Sequence, residues 1–241
     1  MTGWAAKRFW KMAHVVACDG GYTVHLDARP LRTPAKAALI VPTEALAQRI
    51  AQEWDAQEGA LRPLSMPFTR SANAALDKVV PQQAEVAAMI ADYGGTDLLC
   101  YRAPSPQELI TRQAAGWDPL LDWAAKAFGA RLSVGQGVMH VAQPPVALAA
   151  LSQAVARLDP FALTALHDLV GLSGSLILGL AVTEGRLAAP EAWALSRIDE
   201  EWQAELWGRD DEAEALAAHK KSEFLHARQF FELSRRPDTV V

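Results

Sequence analysis

Between Phe161 and Thr183 the chain reads FALTALHDLVGLSGSLILGLAVT, a stretch long enough to cross a bilayer and apolar on nearly every side of a helix. Such a segment leaves two choices. It spans a membrane, or it forms the centre of a helical domain large enough to cover it. His167 and Asp168 stand near its middle, and a central Asp costs roughly 2.5–3.5 kcal/mol in a bilayer. Basic flanks are missing as well. A buried central helix ending near Gly185 is therefore expected, with other helices packed around it.

Those other helices are legible from about Ser71, where apolar residues take up a 3.6-residue period in an Ala-rich background. Periodicity and punctuation predict helices over Ser71–Val79, Pro81–Tyr93, Pro106–Phe128 with Gly129 as its C-cap, and Val146–Leu158. Beyond the central segment, one helix starts with Pro190 at its first position and runs to about Trp207. Another covers Asp211–Leu233. Asp97–Arg102 and Arg131–Val141 read as short strands or loops.

The first third is different. Phe9–Ala17 and Tyr22–Leu26 are aromatic and β-branched runs joined by Cys18-Asp19-Gly20-Gly21, which suits a tight hairpin. Arg29–Pro34 and Ala38–Val41 look extended, with prolines placed for edges and turns. Thr43 is a plausible N-cap for a helix from Glu44 to about Gln57, whose Leu46, Ile50 and Trp54 form one apolar stripe. Pro63–Thr69 returns to extended chain. The expected fold is α+β: a small β-rich N-terminal domain over residues 1–80 with one or two helices, then a larger, mainly helical C-terminal domain over 81–241.

Composition excludes classes of function. In 241 residues, 51% are apolar and 21% charged, which is ordinary for a globular protein, and the net charge of −5 gives no basic footprint for nucleic acid or a membrane surface. Cys18 and Cys100 show neither metal-type spacing nor a disulfide framework, as befits a reducing compartment.

Catalytic motifs are approached but not completed. Glu223-x-x-His226, with His219 one turn earlier, has the spacing of a di-iron half-site, yet no second Glu-x-x-His exists in the chain. Gly171-Leu-Ser-Gly-Ser175 lacks the last glycine of a nucleophile elbow and lies in a helical pattern. Gly135-Gln-Gly137 is two-thirds of a dinucleotide fingerprint, and no Walker-type phosphate loop is present. His14, His25 and His167 fall singly among apolar residues, where a hydrogen-bonded structural imidazole is expected. No catalytic residue, metal or cofactor is expected. The alternative that keeps chemistry is a helical metal-dependent enzyme using His219, Glu223 and His226.

Charge singles out one region. Between Pro190 and Glu214 stand nine acids, Glu191, Asp199, Glu200, Glu201, Glu205, Asp210, Asp211, Glu212 and Glu214. Only Arg197 and Arg209 oppose them, so the net is −7. Trp193, Trp202 and Trp207 are interleaved with these carboxylates. Indoles among acids suit a contact surface for a basic partner. They suit equally a solvated helix whose tryptophans face the core. Trp202 and Trp207 lie five residues apart and cannot share one narrow helical stripe, which places one of them near the surface.

Ordered strings along nearly the whole chain then resemble one family. They are KRFWK (Lys7–Lys11), LDARPLRTP (Leu26–Pro34), VPTEALAQRIAQEWDAQ (Val41–Gln57), PLSMPFTRSANAALD (Pro63–Asp77), TDLLCYRAPSPQELITRQAAGWDPLLDW (Thr96–Trp123), SGSLILGLAV (Ser173–Val182) and EAWALSRIDEEWQAELWGRDDEAEA (Glu191–Ala215). The chain resembles the assembly chaperones that bind the α subunit of the catalytic head of F-type ATP synthase. Departures are mild: Gly94-Gly95 where bulkier residues are usual, and Ala28 where glycine is usual.

The resemblance implies a non-enzymatic, ATP-independent chaperone that holds the unassembled α subunit by its β-facing surface, and a two-domain fold. It also implies a role for acids of the late motif. Carried onto this chain and joined to its indoles, the partner-binding candidates are Glu200, Glu201, Trp202, Glu205, Trp207, Asp210, Asp211 and Glu212. A protein monomeric when free and without membrane insertion is expected. Relatives in eukaryotes are mitochondrial. Here the family pattern begins by Lys7, leaving too few residues for a transit peptide, and MTGWAAKRFWKMAHVV has no signal-peptide core, so the bacterial cytoplasm is the expected location.

Overall fold

The computed structural model describes residues 7–236, which adopt an α+β fold: a small antiparallel sheet near the N-terminus followed by a predominantly helical chain. Two compact units are distinguished. Among the described residues, the first holds 7–83 together with 159–164 and 229–236. The second holds 84–158 and 165–228.

In the first unit, β1 (Ala13–Cys18) and β2 (Gly21–Leu26) form the expected hairpin, with Ala13 opposite Leu26 and Cys18 opposite Gly21. β3 (Arg29–Pro30) extends the sheet beside β2. Gly20 makes the turn at φ 87°. Gly21 meets a different demand, because Tyr22 and Val41 exchange backbone hydrogen bonds at 2.9 and 2.8 Å. A Cβ on Gly21 would lie 2.3 Å from the Val41 carbonyl oxygen. At the next turn Asp27 itself takes the positive φ (54°), so Ala28 needs no glycine-like freedom.

Helix α1 (Glu44–Asp55) packs on β1 and β2 and buries Leu46, Ala47, Ile50 and Ala51, alongside a core that includes Val24, Leu26, Leu39 and Val41. Thr43 caps it, its Oγ1 accepting from the Leu46 amide at 3.2 Å while its hydroxyl donates to the Leu233 carbonyl. Trp54 rests on Trp10 with ring centroids 5.2 Å apart. Pro63–Thr69 is not extended as expected: a 3-10 turn spans Pro63–Ser65, and α2 (Pro67–Ala74) begins there with Pro67 in its first turn. α2 has no cap of its own. Glu53 supplies one from α1, accepting from the Phe68 and Thr69 amides (2.6 and 2.8 Å) and the Thr69 hydroxyl (2.7 Å). Burial raises the Glu53 carboxyl above its usual range despite these bonds.

Beyond the first third, the chain is mainly helical. Helices α3 (Gln83–Ala91), α4 (Gln107–Ala127), α5 (Pro145–Ala156) and α10 (Asp211–Ser234) lie within a few residues of the expected bounds. β4 (Tyr101–Arg102) and β5 (Gly135–Gln136) pair in parallel. The expected single helix over Phe161–Thr183 is in fact two, α6 (Pro160–Ser173) and α7 (Leu176–Thr183). Gly174 breaks it at φ 73°, and Ser175 restarts it by accepting from the Leu178 amide at 3.0 Å. α7 is buried at every residue. Gly179 lets it approach α6, since a Cβ there would lie 2.7 Å from Val170 Cγ2. His167 and Asp168 occupy the outer side of α6 and pair at 2.9 Å.

Arg102 is a polar group that is almost fully buried. It donates to the Leu99 carbonyl (3.0 Å) and to Asp118 (2.7 Å), with its guanidinium 5.2 Å from the centroid of the buried Trp117 ring. Gly94 is small for a packing reason: a Cβ there would lie 3.1 Å from Leu151 and 3.5 Å from Leu176. No helix of the described residues is long and apolar enough to cross a membrane.

Candidate partner-binding site

The acidic segment is also not one helix. α8 (Ala189–Ser196) and α9 (Ile198–Trp207) meet at Arg197, whose φ of −114° and ψ of 13° leave the helical range. Trp193 faces inward from α8 against the buried Phe224, at 5.7 Å between centroids. It belongs to the core. Trp202 is half-buried and Trp207, at the end of α9, is 80% exposed. Leu206, its neighbour in sequence, and Leu216 on α10 are exposed as well.

Most of the carboxylates are already engaged. Glu200 pairs with Arg197 at 2.5 Å, and Glu205 receives Arg112 of α4 on both oxygens at 2.9 and 2.8 Å. The Arg112 guanidinium holds the Glu205 carboxyl below its usual range. Arg209 grips Glu201 of α9 at 2.9 Å and Glu214 of α10 at 2.5 Å, spanning the turn where Gly208 takes φ 92°. Asp210 accepts from the Ala213 amide at 2.7 Å and so caps α10. Among the described residues Asp211 and Glu212 have no ion-pair partner. They sit in the first turn of α10, where the helix dipole favours them.

The eight candidates thus occupy α9, the 208–210 turn and the first turn of α10, with acids and one exposed indole near one another in the chain. What sequence alone missed is the support from α4. Arg112 and Gln113 lie some 90 residues away and carry no local signal of a role here.

Ser173 donates to the Leu169 carbonyl (2.6 Å) and Ser175 to Asp97 (2.8 Å), both fully engaged in the break between α6 and α7. His14 and His25 are not single: they face each other across β1 and β2 at 5.8 Å between rings. His219, Glu223 and His226 all lie on α10, and no group of three or more His, Cys, Asp or Glu suited to a metal ion occurs among the described residues. Cys100 is buried, and burial together with Asp97 pushes its thiol up to about 12.

With this geometry in hand, comparison with known proteins gives a single answer. A family model described as ATP12 chaperone protein matches residues 7–125. The crystal structure of Atp12 from Paracoccus denitrificans superposes with a TM-score of 0.92 at 57% identity, covering 95% of this chain and 99% of that one. A solved protein from Agrobacterium tumefaciens does so with a TM-score of 0.89 at 43% identity, covering 95% and 86%. The mitochondrial protein atp12 of Schizosaccharomyces pombe is 24% identical over 222 residues, 87% of this chain and 76% of that protein. The chain belongs to the ATP12 chaperone family.

Proposed function

We propose that this protein is an ATP-independent assembly chaperone that binds the unassembled α subunit of F-type ATP synthase, shielding the surface later covered by the β subunit. The observation that carries this beyond family membership is Trp207, 80% exposed and flanked by carboxylates on both sides. An exposed indole contributes nothing to the core, and aromatic anchors beside charges are the residues that dominate protein interfaces. An unassembled obligate interface is large and apolar, and it aggregates unless covered. An acidic surface with few aromatics can cover it and still let go.

In this proposal Glu200, Glu201, Trp202, Glu205, Trp207, Asp210, Asp211 and Glu212 form the contact surface. The protein has no catalytic activity and works as a monomer. Its bacterial structural neighbours support action in the bacterial cytoplasm, where the α subunit would be made. The test is co-purification with separately expressed ATP synthase α and β subunits. Selective capture of α, reversed when β is added, is the expected result. Well-folded protein that captures neither subunit overturns the proposal.

A further inference from the structure

α9 carries the centre of the acidic surface, yet Ile198 is its only buried residue. Complete apolar burial is therefore confined to its first residue, with Trp202 and Ala204 only half-buried beyond it. A cluster of residues on α4 adds contacts along α9 and at its start. Arg112 donates to both oxygens of Glu205, at 2.9 and 2.8 Å. Gln113 donates its amide to Asp199 Oδ1 at 2.6 Å. Gly116 admits the α8–α9 corner, since a Cβ there would lie 2.8 Å from Leu195 Cδ2 and 3.1 Å from Ile198 Cδ1. Trp117 donates from Nε1 to the Leu195 carbonyl at 2.9 Å. Positions 112, 113, 116 and 117 share one side of a helix by their spacing.

Within this cluster Gln113 is distinctive because it is fully buried and both ends of its amide are used. Its oxygen accepts from the Ala103 amide at 2.9 Å. That bond leaves the NH₂ group aimed at Asp199, so the orientation of the donor is set before Asp199 arrives. A buried amide bonded to a carboxylate is stronger than a neutral pair, and leaving either partner unmet is penalised. Asp199 is thereby drawn inward and the other acids of α9 are left facing outward.

We infer that Gln113 is a positioning residue for partner binding: through Asp199 it orders α9 in the free protein, so that the acidic surface is formed before any partner arrives. Association then avoids the ordering entropy that a mobile helix would lose on binding. The inference rests on the chaperone proposal only for the identity of the partner.

Two readouts test it on the full chain. Gln113→Glu sets a carboxylate against Asp199. Amide exchange over residues 198–207 in the free protein should accelerate at least tenfold, and affinity for the isolated α subunit should fall about tenfold. In the double variant Gln113→Glu with Asp199→Asn, the donor and acceptor are exchanged and both readouts should return toward wild type. Should Gln113→Glu fail to fold, Asp199→Ala removes the same bond from its half-exposed side. Unchanged exchange over 198–207 overturns the inference, as does faster exchange with unaltered affinity for α. Failure of the wild-type protein to capture α counts against the chaperone proposal instead, and the exchange experiment still decides whether Gln113 orders α9.

Discussion

Asp97 and Ser175 are 78 residues apart in sequence and meet at 2.8 Å, where α6 stops and α7 starts. Asp97 is fully buried. Oδ1 also accepts from the Leu99 amide at 3.0 Å and Oδ2 from the Ile177 amide at 3.0 Å. One carboxylate thus caps its own 3-10 turn, Leu98–Cys100, and the N-terminus of a buried helix.

Burial raises the Asp97 carboxyl from its ordinary 3.8 to about 6, with the bonds from Ile177, Leu99 and Ser175 opposing the rise. The native state then binds this proton more tightly than the unfolded chain does. The associated stabilisation is complete below pH 3.8 and is lost as pH rises to about 6. Relative to Asp97→Asn, which does not titrate, the wild type should lose on the order of 3 kcal/mol across that window. Urea unfolding of both proteins at several pH values checks this. Parallel stability curves would refute it.

Arg102 should not tolerate lysine. Its guanidinium bonds the Leu99 carbonyl and Asp118 at once while lying against Trp117. An ammonium cannot hold that planar arrangement, so Arg102→Lys is expected to lower stability by about 1–3 kcal/mol in chemical denaturation. A shift within experimental error would show that the planar contacts are dispensable.

The contact between Gly21 and Val41 predicts a sharp contrast between two glycines. Gly21→Ala drives a Cβ to within 2.3 Å of a backbone oxygen and should cost about 1–3 kcal/mol. Gly95→Ala meets nothing within 4 Å and should stay within about 0.5 kcal/mol of wild type. Equal effects in thermal unfolding would count against the close approach.

Trp207→Ala separates binding from folding. The side chain is exposed, so unfolding free energy should move by no more than about 0.5 kcal/mol. Affinity for the α subunit should drop by about 2 kcal/mol or more, as for an interfacial aromatic anchor. Isothermal titration with purified α gives the answer, and undiminished affinity removes Trp207 from the proposed surface.

Local chemistry explains which elements were legible from sequence. Thr43 before Glu44, with Leu46 and Ile50 at helical spacing, announces α1 because both the cap and the apolar stripe lie within one or two turns. Asp19-Gly20 announces the β1–β2 hairpin for the same reason. The acids and indoles of the candidate surface are likewise visible, since exposed charge needs no distant partner to be recognised. Periodicity was misleading at the two interruptions. Phe161–Thr183 and Pro190–Trp207 are each helical in pattern from end to end, and a pattern does not say where a helix pauses.

By itself, then, the amino-acid sequence determined the α+β order of elements, the placement of most helices, and the acidic, indole-bearing segment. Tertiary structure alone decided that α6 and α7 part at Gly174, because the donors freed there are met by Asp97 from 78 residues away. It alone decided which acids of α9 face outward, because Gln113 and Arg112 reach them from another helix. The physical reason is common to both. Buried or oriented polar groups must be matched, and the matching partner can lie anywhere in the chain.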